Sequence, residues 1–131
     1  MAFNQAEKMW ENLGTELVLG SVIAGENTPP SPELIDQTLA HNFVLVRSLD
    51  SLGAPVTPSG GTYDVFVQLT QSGGYSSAGS IDATKTGGPT LTPDGEAEFA
   101  SFDGNPYSIK IVANGVTGAD QAEVIVNQNA T

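Results

Sequence analysis

His41 is the one histidine in a chain of 131 residues, and no cysteine occurs. Any imidazole general base, and any Ser-His-Asp arrangement, would have to run through His41. No nucleophile or orienting carboxylate stands at a telling spacing from it, so a structural role is expected. Without cysteine, thiolate nucleophiles, disulfides and Cys-built zinc sites are closed to these residues. Carboxylates are plentiful: 15 Asp+Glu face 4 Lys+Arg, a net charge of -11. Asp94, Glu96, Glu98 and Asp103 fall in one short stretch and offer the hard oxygen ligands that Ca²⁺ takes. Their spacing is not that of an EF-hand loop, and Glu96 and Glu98 read as the outward side of a strand. No metal or cofactor is therefore expected.

Glycoside hydrolysis needs two carboxyl groups facing one groove, and no two of the acids here are singled out for it. A sugar platform would draw on Phe66, Tyr75 and Tyr107, which read instead as core or loop packing. No glycine-rich run leads into a helix and a lysine, so a phosphate loop is absent. Asn129-Ala130-Thr131 matches a glycosylation sequon, but Met1–Gln5 carries neither a basic region nor an apolar signal core. A small hydrolase using paired acids ranks below the binding and structural readings, and no enzyme activity is expected.

The same charge balance excludes partners. Nucleic-acid affinity needs clustered Lys and Arg, and an acidic surface opposes anionic membranes. The longest apolar runs, Leu17–Leu19 and Phe43–Val46, are far too short to span a bilayer.

The elements that must position these residues divide at residue 37. Phe3, Ala6, Trp10, Leu13 and Leu17 recur at 3, 4, 3, 4, one stripe of a helix. Asn4 with Glu7 matches a capping box, and Gly14 fits a C-terminal stop. A helix this short is marginal alone in water. It must dock on its own domain or on a neighbour, and tryptophan is a frequent interface anchor. Thr15–Ala24 reads as a strand, and residues 25–37, with the Pro29-Pro30 pair, as a linker. Residues 1–37 are thus expected to form an N-terminal arm and linker, with Phe3, Trp10, Leu13 and Leu17 as partner-binding residues.

From Thr38 onward the pattern has period two. Leu39, Phe43 and Leu45 alternate with Asn42 and Val44 in a strand over 38–49. Tyr63, Val65, Val67 and Leu69 alternate with Asp64, Gln68 and Thr70, and Phe66 is an apolar exception on the outward side. Further strands are read at 76–84, 96–102, 107–114 and 121–128, the last with Ala122, Val124 and Val126 inward. Turn-forming stretches separate them (50–61, 71–74, 85–95, 103–106, 115–120). With the run at Thr15–Ala24, these six one-sided strands predict an all-β antiparallel β-sandwich of about seven strands, Ig-like or jelly-roll-like, its domain over 38–131, with a short N-terminal helical arm. The paired Cys around a Trp of the immunoglobulin domain are missing. Few charges or prolines blunt 62–71 and 121–128, which leaves room for edge pairing with another chain.

Two stretches, Leu49–Val67 (LDSLGAPVTPSGGTYDVFV) and Asn105–Asn129 (NPYSIKIVANGVTGADQAEVIVNQN), resemble small β-sandwich accessory proteins of tailed-bacteriophage virions, such as head decoration (cement) proteins and tail or fibre modules. A strand ending in a "GxPVTPxxGT" turn and a final "GVTGA" hairpin carry the likeness, over residues 39–129. It transfers no catalytic or ligand residue. It implies a structural part of a virion, made in a bacterial cytoplasm. Such a part is held by other virion proteins of the capsid or tail, or by self-association. The alternative is a carbohydrate- or receptor-binding module, with Tyr75, Asn105 and Tyr107 as its contacts.

Overall fold

The computed structural model describes residues 3–11, 16–18, 41–70, 72–87, 99–104 and 106–129. Among the described residues there are eight strands: β1 Phe3–Glu11, β2 Glu16–Val18, β3 His41–Leu49, β4 Gly60–Gln68, β5 Ser76–Asp82, β6 Phe99–Asp103, β7 Ser108–Thr117 and β8 Gln121–Asn129. They form two four-stranded sheets in the orders β1-β8-β3-β6 and β2-β7-β4-β5. Every pairing is antiparallel, and the pairs are nested: β1 with β8, β2 with β7, β3 with β6 and β4 with β5. The expected all-β, two-sheet sandwich is what the chain adopts.

The N-terminal helical arm is not. Residues 3–11 are β1, in unbroken register with β8 from Phe3↔Asn129 to Glu11↔Gln121. This is the strand beyond the expected seven. The 3-4 spacing of Phe3, Ala6, Trp10, Leu13 and Leu17 favours a helical stripe only when no other partner is available. Nine residues of ladder along β8 outweigh a helix that is marginal by itself. The expected boundary at 37–38, the linker and Leu13 lie outside the described residues.

Between the sheets, Trp10, Val44, Val46, Ala122, Val124 and Val126 from one meet Tyr63, Val65, Val67, Ile81, Ile109 and Ile111 from the other. The β4 and β8 alternations are therefore the ones read from sequence. In β3 Val44 and Val46 join the core between the sheets, Phe43 is half-buried, and Leu45, on the same side as Phe43, is fully buried. Both sides of that strand are apolar, so period two alone does not choose between them. Leu69, expected inward, lies beyond the end of β4 and is exposed. Of the expected turn at 115–120, residues 115–117 continue β7, and 118–120 do not close a hairpin: β7 and β8 belong to different sheets, so this turn is an arch between layers.

Two buried polar networks hold the sandwich, one within the β1-β8-β3-β6 sheet and one between the two sheets. Asn42 and Gln128 are 1% exposed. The Asn42 amide donates to Phe102 O and Gly104 O (3.4 and 3.1 Å) and accepts from Gln128 Nε2 at 2.8 Å. At the other end, Ser48 Oγ lies 2.7 Å from the Tyr63 hydroxyl and 2.6 Å from Thr86 Oγ1, which donates to Ala83 O at 2.7 Å. Each hydroxyl has one proton, so the order is settled: Tyr63 donates to Ser48, Ser48 to Thr86, Thr86 to Ala83. Burial pushes the Tyr63 hydroxyl pKa up. The chain ties Ser48 of β3 directly to Tyr63 of β4 and, by way of Thr86, to the 3-10 turn Ala83–Lys85, each bond contributing about 1 kcal/mol.

Candidate interaction surface

The outer face of the β2-β7-β4-β5 sheet is built by the same alternation that fills the core. With Tyr63, Val65 and Val67 inward, Thr62, Asp64, Phe66 and Gln68 point out. Cross-strand register sets their neighbours. Thr62 stands opposite Asn114, Asp64 opposite Ser80 and Val112, and Phe66 opposite Lys110 and Ser77, after a β-bulge at Val65/Phe66.

Asp64 is the polar centre of this face. Its Oδ1 accepts from Thr62 Oγ1 at 2.8 Å and Ser80 Oγ at 2.7 Å, and its Oδ2 accepts from Asn114 Nδ2 at 3.3 Å. Desolvation pushes the Asp64 pKa up, but the three hydrogen bonds together outweigh it and hold the carboxyl below its ordinary value. A carboxylate with a depressed folded pKa stabilises the fold above the ordinary aspartate pKa and loses that contribution as pH falls through the depressed one. Asp64→Asn is therefore expected to lower the urea midpoint modestly at neutral pH, since the carboxylate is only partly buried and solvent screens it. Parent and variant should converge well below the ordinary aspartate range. A gap that is constant with pH would show that ionisation of Asp64 does not matter.

Toward the 68–75 end, the Lys110 ammonium lies 4.5 Å from the Tyr75 ring centroid and 5.4 Å from that of Phe66. The Tyr75 hydroxyl donates to Ser108 Oγ at 2.9 Å. The Tyr107 N–H donates to Gln68 O at 2.7 Å, and the Gln68 amide to Gly73 O at 2.7 Å. Tyr75 and Tyr107, paired from sequence as glycan contacts, thus reach the same end of the sandwich, while Asn105 lies outside the described residues. Phe66 was visible beforehand as an outward aromatic. The link to Lys110 was not, because it depends on the β4–β7 register.

His41 and Asp103 are register partners of β3 and β6, with Nδ1 and Oδ1 2.8 Å apart at the rim. Both side chains are open to solvent, 41% and 81% exposed, so the pair has the geometry of a surface bridge. Asp94, Glu96 and Glu98 lie outside the described residues, and among the described residues no three His, Asp or Glu side chains converge as a metal site. On the outer face of the other sheet, Arg47 pairs with Glu123 opposite it. No helix among the described residues is long and apolar enough to cross a membrane.

Of the partner-binding residues read from sequence, Trp10 is 5% exposed and part of the core, opposite Ala122. Of the two fates considered for it, the protein's own core is the one observed here. Phe3 sits in β1 opposite Asn129 and Leu17 in β2 opposite Ile111. A strand repeats every two residues, so the helical spacing no longer makes these residues a stripe.

At the opposite end the two turn motifs meet. Asp50 Oδ1 accepts from the N–H groups of Leu52 and Ala54 at 2.8 and 2.9 Å, closing an Asx turn. Ser59 N–H donates to Thr117 O at 2.9 Å, and Gly61 lies against Gly115. Stretches more than fifty residues apart in the chain thus share one rim, with Leu52 91% exposed at its tip.

None of the curated proteins matches the chain. Among solved structures, a chain from work titled "Bacillus endospore appendages form a novel family of disulfide-linked pili" is similar at 11% identity and a TM-score of 0.41, over 99% of this chain and 88% of that one. A likeness that loose bears on neither fold nor function. The family described as "Domain of unknown function (DUF7265)" matches residues 28–131, four-fifths of the length, and the chain belongs to it.

Proposed function

We propose that this chain is a non-enzymatic structural protein of a phage particle, held by its N-terminal segment to neighbouring capsid or tail subunits or to copies of itself. The observation that carries the reading is the strand order. An eight-strand antiparallel hairpin with pairs 1–8, 2–7, 3–6 and 4–5, rolled into two sheets, is the jelly-roll arrangement. That fold serves viral capsid and lectin domains. The turn-style likeness of residues 49–67 and 105–129 to virion accessory proteins, and an acidic surface that keeps the protein off nucleic acid, support the same reading. The contact segment is the one that carries Phe3, Trp10, Leu13 and Leu17, because β1 and β2 meet the family unit along one flank. Mass spectrometry of purified tailed particles is expected to find the chain in fixed proportion to the capsid or tail subunits. Recovery only as soluble protein from the bacterial cytoplasm would refute the reading.

A glycan- or receptor-binding module is the second reading, favoured by Phe66, Tyr75 and Tyr107 gathering with Lys110 toward one end of a jelly roll. A glycan array without a binder removes it.

A further inference from the structure

Residues 28–131, the family unit, contain β3 to β8, three strands of each sheet: β8-β3-β6 and β7-β4-β5. In that unit β8 and β7 are edge strands, and both lie on the same flank. A bare edge presents a row of unpaired N–H and C=O groups and recruits another strand. Behind this one stand Ala122, Val124 and Val126, all fully buried in the complete sandwich. β1 and β2 supply what the flank needs. β1 pairs with β8 along nine positions, β2 pairs with β7 from Glu16↔Val112 to Val18↔Lys110, and Trp10 caps the core.

Chain length bears on which copy supplies them. Val18 pairs with Lys110, near the start of β7, and His41 pairs with Asp103 and Asn129, at the ends of β6 and β8. So β2 ends and β3 begins at the same end of the sandwich. Strands about 4.8 Å apart and sheets about 10 Å apart put the two points roughly 15 Å from each other, a gap that about five extended residues close. Residues 19–40 supply 22. That length can span up to about 70 Å, well beyond a domain of this size, whose radius of gyration is about 14 Å.

We propose that β1 and β2 together are an exchangeable clasp: they occupy the β8/β7 flank of a second copy of this chain, in the register seen here, while that copy's clasp passes to the next. This rests on the reading of the protein as an assembly part and names the partner as the chain itself.

The absence of native cysteine makes the test direct. Glu11→Cys with Gln121→Cys places two thiols at opposed positions of the β1–β8 ladder, within reach of a disulfide. Full-length protein is refolded at concentrations approaching the mM effective concentration of a tethered segment, oxidised, and run on a denaturing, non-reducing gel. Exchange predicts a ladder of covalent multimers that reduction collapses to one band, and at most dimers from either single-cysteine variant. A second pair, Met9→Cys with Glu123→Cys in the middle of the ladder, should give the same ladder and covers poor folding or fraying of the first. Intrachain disulfides alone from both pairs, at every concentration, overturn the proposal. A ladder from a protein missing from particles refutes the virion reading and leaves exchange standing. Intrachain disulfides in a protein found on particles do the reverse.

Discussion

Gly61→Ala is expected to destabilise the protein by at least about 3 kcal/mol, a fall in Tm of roughly 10 °C or more for a domain of this length. Two independent causes combine. Gly61 has φ +98, where an L side chain is strained by about 1–3 kcal/mol. A Cβ there would also lie 2.5 Å from Gly115 C, Gly115 O and Val116 Cα. All three are backbone atoms, so relief requires moving the β4–β7 ladder, where the register already shifts between Gly60 and Thr62. Gly53→Ala is the control: φ is +85 but nothing lies within 4 Å of the added Cβ. It should show only the conformational cost, about 1 kcal/mol. Thermal melts followed by far-UV circular dichroism separate the two. Equal losses at Gly61 and Gly53 would mean that the approach to Gly115 is not a constraint.

Trp10→Ala should cost about 3–5 kcal/mol, the usual loss for truncating a buried large aromatic. The side chain is 5% exposed and packs between the sheets. Because β1 is an edge strand held on one side by β8 and underneath by this residue, the loss should fall first on β1. Amide exchange along 3–11 should accelerate more than along β3 or β4. Trp10→Phe, which keeps most of the volume, should recover more than half of the stability. A loss under about 1 kcal/mol for Trp10→Ala would show that β1 does not depend on the tryptophan. The expected loss of about 3–5 kcal/mol is a large share of the roughly 5–15 kcal/mol typical of a whole domain.

Much of the body was legible because its signals are local. Tyr63, Val65 and Val67 alternate with Thr62 and Asp64, and Ala122, Val124 and Val126 with Glu123 and Ile125. A strand with one apolar side can bury only that side. Gly, Pro and Asp mark the gaps at 50–61 and 115–120 because those residues supply the positive φ and side-chain caps that tight turns need. Asp50 and Gly61 do both in the structure.

What remained undecided depends on partners that are distant in the chain. Phe3–Glu11 has helical spacing, and only the vacant edge of β8 makes it a strand. Val44 rather than Phe43 faces the core because β8 and β6 fix the rotation of β3, a choice its two apolar sides leave open. The company kept by Asp64 and Lys110 follows from cross-strand register, which a one-residue slip would replace entirely. Composition and alternation by themselves determined an acidic, all-β sandwich without thiol chemistry. Pairing between remote strands decided its strand order, the fate of Phe3–Glu11 and which side chains meet on its outer face, because hydrogen-bond ladders join residues that share no local pattern.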